Sequence, residues 1–264
     1  MKRISTLIII CLTYSPLLWS QIGGISGSKL ASYCVNVVDH KRLEFEPGVY
    51  SLNSGAFWDN NSNLLNYFQT PDSLITKCGM YIRLTYGLWN KLEFGVSIDS
   101  DLHNSSWGMR YVIFQKEKLG LAAISGINFP LANKLQNKNI SLENTTRSFG
   151  GGLVATYNFN DRFSADLNYQ YMIPFSLEQL NYGTQHISNI DLGYYMENKH
   201  FQLIGSLGYA YNAEENFTSE VLTLCYGFTI ETDKFIFVFG FPHNIYGRNA
   251  TKNKGLIVAV TLTF

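Results

Sequence analysis

Leu256-Ile257-Val258-Ala259-Val260-Thr261-Leu262-Thr263-Phe264 ends the chain. Leu256, Val258, Val260, Leu262 and Phe264 fall on one face of an extended strand, and Ile257, Ala259, Thr261 and Thr263 on the other. Successive side chains leave a strand on opposite sides, so a period of two marks a strand whose faces meet different surroundings. The pattern recurs upstream with more contrast. Leu74, Thr76, Cys78, Met80, Ile82 and Leu84 oppose Ile75, Lys77, Gly79, Tyr81, Arg83 and Thr85, and Leu92, Phe94, Val96 and Ile98 oppose Glu93, Gly95, Ser97 and Asp99. Phe163, Ala165, Leu167, Tyr169 and Tyr171 alternate with Ser164, Asp166, Asn168 and Gln170. Ile190, Leu192, Tyr194 and Met196 alternate with Asn189, Asp191, Gly193 and Tyr195. Each strand has one apolar side and one that carries the charges. Residues 119–129 and 235–241 are apolar on both sides, so they are strands by composition only and their orientation is not readable.

Marking every such segment gives about twelve strands of the roughly 9–11 residues that a tilted membrane strand needs. Their connections alternate in length. Trp89-Asn90, Lys116-Glu117-Lys118, Asn160-Asp161, Glu197-Asn198-Lys199 and Glu231-Thr232-Asp233 are tight turns, whereas residues 59–73, 100–106, 130–146, 172–186, 212–218 and 242–254 are longer polar stretches. Short turns on one side and long loops on the other predict an all-β fold, a transmembrane antiparallel up-and-down β-barrel, with the short turns and both chain ends periplasmic. A soluble β-sandwich would also alternate, but with its apolar face inside. Aromatic residues near strand ends, such as Trp89, Trp107, Tyr157, Phe159 and Phe201, favour the barrel as interfacial girdles. A last strand ending on Phe264 resembles the assembly signal of outer-membrane barrels, so outer-membrane lipid and the barrel-assembly machinery are expected partners.

The start of the chain fits this destination. Lys2-Arg3, an apolar core from Ile4 to Leu12 and a small Ser20 before Gln21 have the layout of a cleavable secretory signal over residues 1–20. A lipid-modified Cys11 is disfavoured because it follows three bulky Ile residues. Residues 21–41 are then expected as a periplasmic N-terminal segment and 42–264 as an outer-membrane barrel. The whole chain has 20 basic and 20 acidic residues, so no charge excess points to nucleic acid. No apolar run beyond the signal reaches the length of a spanning helix. Cys34, Cys78 and Cys225 remain after cleavage, an odd, sparse set that forms no disulfide framework. No metal-ligand spacing, phosphate-binding glycine loop or cofactor signature is present, so neither metal nor cofactor is expected.

The hairpin Leu84-Thr85-Tyr86-Gly87-Leu88-Trp89-Asn90-Lys91-Leu92-Glu93-Phe94-Gly95-Val96 resembles one typical of the outer-membrane transporter family associated with the phenol-degradation MetA pathway. The resemblance continues in Gly108-Met109-Arg110-Tyr111, in Ile124 to Pro130 and in Ala155 to Ser164, and departs at Leu131, where the family has Gly. It implies a barrel that passes small solutes, hydrophobic ones among them, and ties no residue to a substrate.

Lys77, Arg83, Glu93, Asp99, Arg110, Asp166 and Asp191 fall on the predicted lumen face. They are candidates either to line a pore or to fill the interior as paired charges, and Arg83 and Glu93 are expected to approach diagonally across their hairpin. His186-Ile187-Ser188-Asn189 is the one string that suggests catalysis, because lipid hydrolases of the outer membrane carry a His-x-Ser-Asn element on a barrel strand. That chemistry needs a third group to orient the histidine. The expected neighbours Tyr209 and Tyr211 supply no acid or amide, so a polar strand end is the favoured reading. The sequence therefore predicts a passive channel and not an enzyme, ahead of a hydrolase using Ser188 and His186 and a plugged structural barrel.

Overall fold

The structure is a computed structural model that describes residues 21–27, 29–68, 73–99, 105–129, 147–175, 183–197, 200–214, 217–232 and 234–264. The proposed signal, residues 1–20, lies outside the described residues. Thirteen strands follow in order: β1 (Leu43–Trp58), β2 (Leu64–Asn66), β3 (Ile75–Trp89), β4 (Leu92–Asp99), β5 (Ser105–Gln115), β6 (Leu119–Phe129), β7 (Arg147–Asn158), β8 (Phe163–Phe175), β9 (Thr184–Tyr195), β10 (Phe201–Glu214), β11 (Phe217–Glu231), β12 (Phe235–Arg248) and β13 (Ala250–Thr263). Leaving aside the three-residue β2, which pairs only with the end of β1, each strand is antiparallel to its chain neighbour, and β13 pairs back onto β1. The result is a closed, all-β, up-and-down barrel of twelve strands without sheet edges. Leu43 and Phe264 complete the seam by exchanging backbone hydrogen bonds, N–H to O at 3.2 and 2.9 Å.

The alternation sorts the faces as the sequence predicts, and in the sense that rules out a sandwich. Met80, Ile82, Leu84, Leu167, Leu192 and Tyr194 lie exposed on the outer wall, while Glu93, Arg110, Asp166, Asn168, Gln170 and Asp191 are fully buried inside. A wall that shows Leu, Ile and aromatic side chains outward and encloses ions is stable only when hydrocarbon covers the outside. The two segments without readable orientation also resolve. Ala122 and Ile124 of β6 point inward, and Phe239 and Phe241 of β12 stack on Phe228 and Tyr226 of β11 on the outer wall.

Expectations for two connections and for the N-terminal segment are corrected. Residues 212–218, expected as a longer polar stretch, lie mostly on strands, since β10 runs to Glu214 and β11 starts at Phe217. Residues 242–254, expected as a long loop, are a continuous hairpin: β12 runs to Arg248, Asn249 turns the chain at φ 48°, and β13 starts at Ala250. Backbone pairing extends past the apolar belt here, so polar side chains such as His243, Asn244 and Lys254 sit on strands where the pattern alone suggests loop. The larger correction concerns residues 21–41, expected in the periplasm. They enter at the short-turn end, where Lys41 N–H donates to Gly87 O at 2.8 Å, and the described residues 22–27 and 29–38 lie within the lumen. At the long-loop end Gly23 N–H reaches Ser106 Oγ at 2.5 Å. Ile22, Ile25, Tyr33 and Val35 are buried against Val112, Ala122, Ile124, Val154 and Met172 of the inner wall, so the apolar core of the molecule lies inside the barrel and includes this segment. Its sequence is apolar without period, so it does not pair as a strand, and the lumen offers it the burial that open water would not.

Candidate functional site

The lumen is the candidate site, and it is built from cross-strand pairs. Arg83 on β3 sits opposite Glu46 on β1, and its Nη2 lies 2.6 Å from Glu46 Oε2 and 3.4 Å from Glu44 Oε2. Tyr81 and Thr261 donate to the Glu46 carboxylate at 3.3 and 2.5 Å. Glu93 on β4 sits opposite Arg110 on β5, 2.9 Å from its Nη2. The diagonal Arg83–Glu93 approach therefore does not form: each group takes the residue directly across its other ladder, where Cβ atoms are closer.

Glu93 and Arg110 hold the inner segment as well as each other. Glu93 accepts from Ser26 N–H at 2.8 Å, Ser26 Oγ at 2.6 Å and Val38 N–H at 2.8 Å. Arg110 donates to Ser26 O at 3.0 Å, to Cys34 O at 2.6 Å and to Asn36 O. On the opposite wall Asp191 accepts from Leu30 and Ala31 N–H at 2.8 and 3.0 Å and from Ser206 Oγ at 2.5 Å. Asp166 pairs with Lys29 at 2.7 Å. Gln170, Thr156 and Thr85 bond the backbone of Ile22, Val35 and Gly24. A segment with no ladder of its own thus has many of its polar groups satisfied by buried wall side chains.

A row of inward glycines makes room for it. Gly95, Gly108 and Gly126 face one another across β4, β5 and β6. A Cβ on Gly95 would lie 1.8 Å from Gly24 O, and one on Gly108 would lie 2.3 Å from Gly23 O. Gly24 itself has φ +83°, the left-handed region that favours glycine. Reading the sequence for charges missed these glycines; their shared register across three neighbouring strands is the signal that finds them.

Among the seven predicted lumen charges, Arg83, Glu93, Arg110 and Asp166 are buried in ion pairs and Asp191 is buried among hydrogen-bond donors. Asp99 is half-buried, and Lys77, on the same inner face, is exposed at the long-loop mouth. Because the inner segment leans on β4–β9, a cavity of about 210 Å³ remains beside it toward β10–β13, bordered by Ile25, Leu30, Arg83, Asn189, Thr223 and Ile257.

His186 and Ser188 point outward, opposite Tyr211 and Tyr209 as expected. His186 Nδ1 lies 2.7 Å from Tyr169 Oη and its ring packs 4.9 Å from Tyr171, so a phenol and not an acid or amide orients it. His200, twelve residues after Ser188, bonds Glu231 O at the other end of the barrel. The described residues contain no cluster of metal-ligating side chains.

No family model and no curated protein matches the chain. Among solved structures it is similar to the COG4313 outer membrane channel from Pseudomonas putida F1, with a TM-score of 0.72 at 12% identity over 87% of this chain and 98% of that one. The KdgM porin in complex with disordered oligogalacturonate gives 0.49 at 11% identity over 84% of this chain and 99% of that one. The CymD monoaromatic hydrocarbon channel gives 0.46 at 12% identity over 85% of this chain and 90% of that one. The first likeness is one of fold.

Proposed function

We propose that the chain is a bacterial outer-membrane channel for small solutes, hydrophobic ones among them, whose pore residues 22–38 close in the state described. One observation carries this reading: the lumen is filled not by interlocking wall side chains but by a single chain segment held through side-chain hydrogen bonds, with a cavity beside it. Such a segment can leave without breaking any ladder between barrel strands. On this reading Lys77 and Asp99 stand at the outer mouth and Arg83 beside the cavity. Glu93, Arg110, Asp166 and Asp191 become pore-lining when the segment withdraws. The exposed apolar wall supports a seat in outer-membrane lipid; on this reading residues 1–20 are removed during export, and the strand ending at Phe264 is what the barrel-assembly machinery recognises. The hairpin resemblance at residues 84–96 supports membership of the family associated with the phenol-degradation MetA pathway.

Planar-bilayer recording tests the proposal. The full barrel should pass little current, and excision of residues 22–38 should give steady ohmic steps. A folded, excised barrel that stays silent would refute it.

A further inference from the structure

Lys29 is the one charged side chain in residues 22–38. Its ammonium lies 2.7 Å from Asp166 Oδ2 and donates to Ser164 Oγ at 2.6 Å. Asp166 stands directly opposite Asp191 across β8 and β9, both fully buried. Asp191 is already occupied by Ser206 and by two backbone N–H groups, and Asp166 Oδ1 takes the Thr156 hydroxyl at 2.5 Å. That leaves Asp166 Oδ2 as the carboxylate oxygen that meets the ammonium.

A second group points at the same place. Gln202 of β10 is 1% exposed and its Nε2 has no hydrogen-bond partner. A Cβ built on Gly193 would lie 2.5 Å from that Nε2 and 3.2 Å from Lys29 Nζ, so amide and ammonium converge on the space that Gly193 leaves open. The carboxylate, the hydroxyl and the amide all belong to the barrel wall, and only the ammonium belongs to the inner segment. Lys29 keeps 14% side-chain exposure, so the site has an approach from solvent.

We propose that this corner of β8, β9 and β10 is a binding site for the primary ammonium group of a small solute, and that Lys29 is its tethered occupant in the closed state. The Asp166 carboxylate and the Ser164 hydroxyl accept N–H bonds from the ammonium. The idle Gln202 amide donates to an oxygen carried beside it, as in a small amino alcohol. The site's access during transport rests on the channel reading, but its binding chemistry does not.

Chemical rescue of the full-length Lys29→Met protein tests the site. The variant keeps the aliphatic stem and removes the cation, so its melting temperature in detergent should fall below the parent's. Ethanolammonium chloride should raise it saturably, whereas sodium chloride and choline chloride at the same ionic strength should not, choline having no N–H to donate. Hydrogen bonds to a charged group set the expected preference for ethanolammonium over choline at about tenfold or more in half-saturating concentration. Adding Asp166→Asn should abolish the response. If Lys29→Met does not fold alone, its refolding yield in the three salts is the readout, with the same ranking expected. Equal effects of the three salts, or rescue that survives Asp166→Asn, would overturn the site. Rescue in a barrel that stays silent after excision of residues 22–38 would leave the site standing and refute only the channel.

Discussion

Replacing Arg110 with Met asks what holds the inner segment in place. Arg110 and Glu93 are both fully buried, and the guanidinium also donates to the carbonyls of Ser26, Cys34 and Asn36. Removing one partner of a buried ion pair costs about 3–5 kcal/mol, because the other charge is left away from water. That penalty falls on the docked state alone: once residues 22–38 withdraw, water reaches Glu93 and the charge is solvated. The β4–β5 ladder, made of backbone bonds, is unchanged. At about 1.4 kcal/mol per factor of ten, the ratio of docked to undocked segment should fall by roughly two to three and a half powers of ten. Cys34, which travels with the segment, supplies the assay. In a background with Cys78→Ser and Cys225→Ser, maleimide labelling of Cys34 should accelerate in the Arg110→Met barrel, and bilayer conductance should rise with it. A folded, heat-modifiable Arg110→Met barrel with labelling and conductance equal to the parent's would refute the reasoning.

Gly95→Val should expel the segment by contact, since its Cβ would lie 1.8 Å from Gly24 O, while Gly205→Ala, which meets nothing within 4 Å, should leave Cys34 labelling unchanged. Arg83→Met strands Glu44 and Glu46 between two wall strands, so it should lower barrel stability by about 3–5 kcal/mol, read as a lower temperature of heat modification, without faster Cys34 labelling. Phe264→Asp should reduce the heat-modifiable barrel recovered from membranes, because the outward face of the closing strand meets lipid and a charge there is disfavoured; a normal yield would count against it.

The barrel was legible in the sequence because its wall is periodic. Alternation such as Leu167-Asn168-Tyr169-Gln170 fixes which side chains face out, and the tight turns at Asn160-Asp161 and Lys116-Glu117-Lys118 fix the order of the strands. Lumen charges were identifiable as a set for the same reason, being the polar half of each alternation. Their partners were not, since pairing depends on register: Arg83 meets Glu46 across one ladder and Glu93 meets Arg110 across another, and neither register is written in a single strand. Residues 21–41 were least legible. Of these, residues 22–38, with one charge and no period, have no preferred partner until a closed wall surrounds them, and only the barrel brings Glu93, Arg110, Asp166 and Asp191 around them. The one-dimensional pattern determined the wall, because each residue there answers to a local contrast between lipid and lumen. What fills the wall was decided by closure in three dimensions, which sets side chains from strands far apart in the chain around a segment that could bury itself nowhere else.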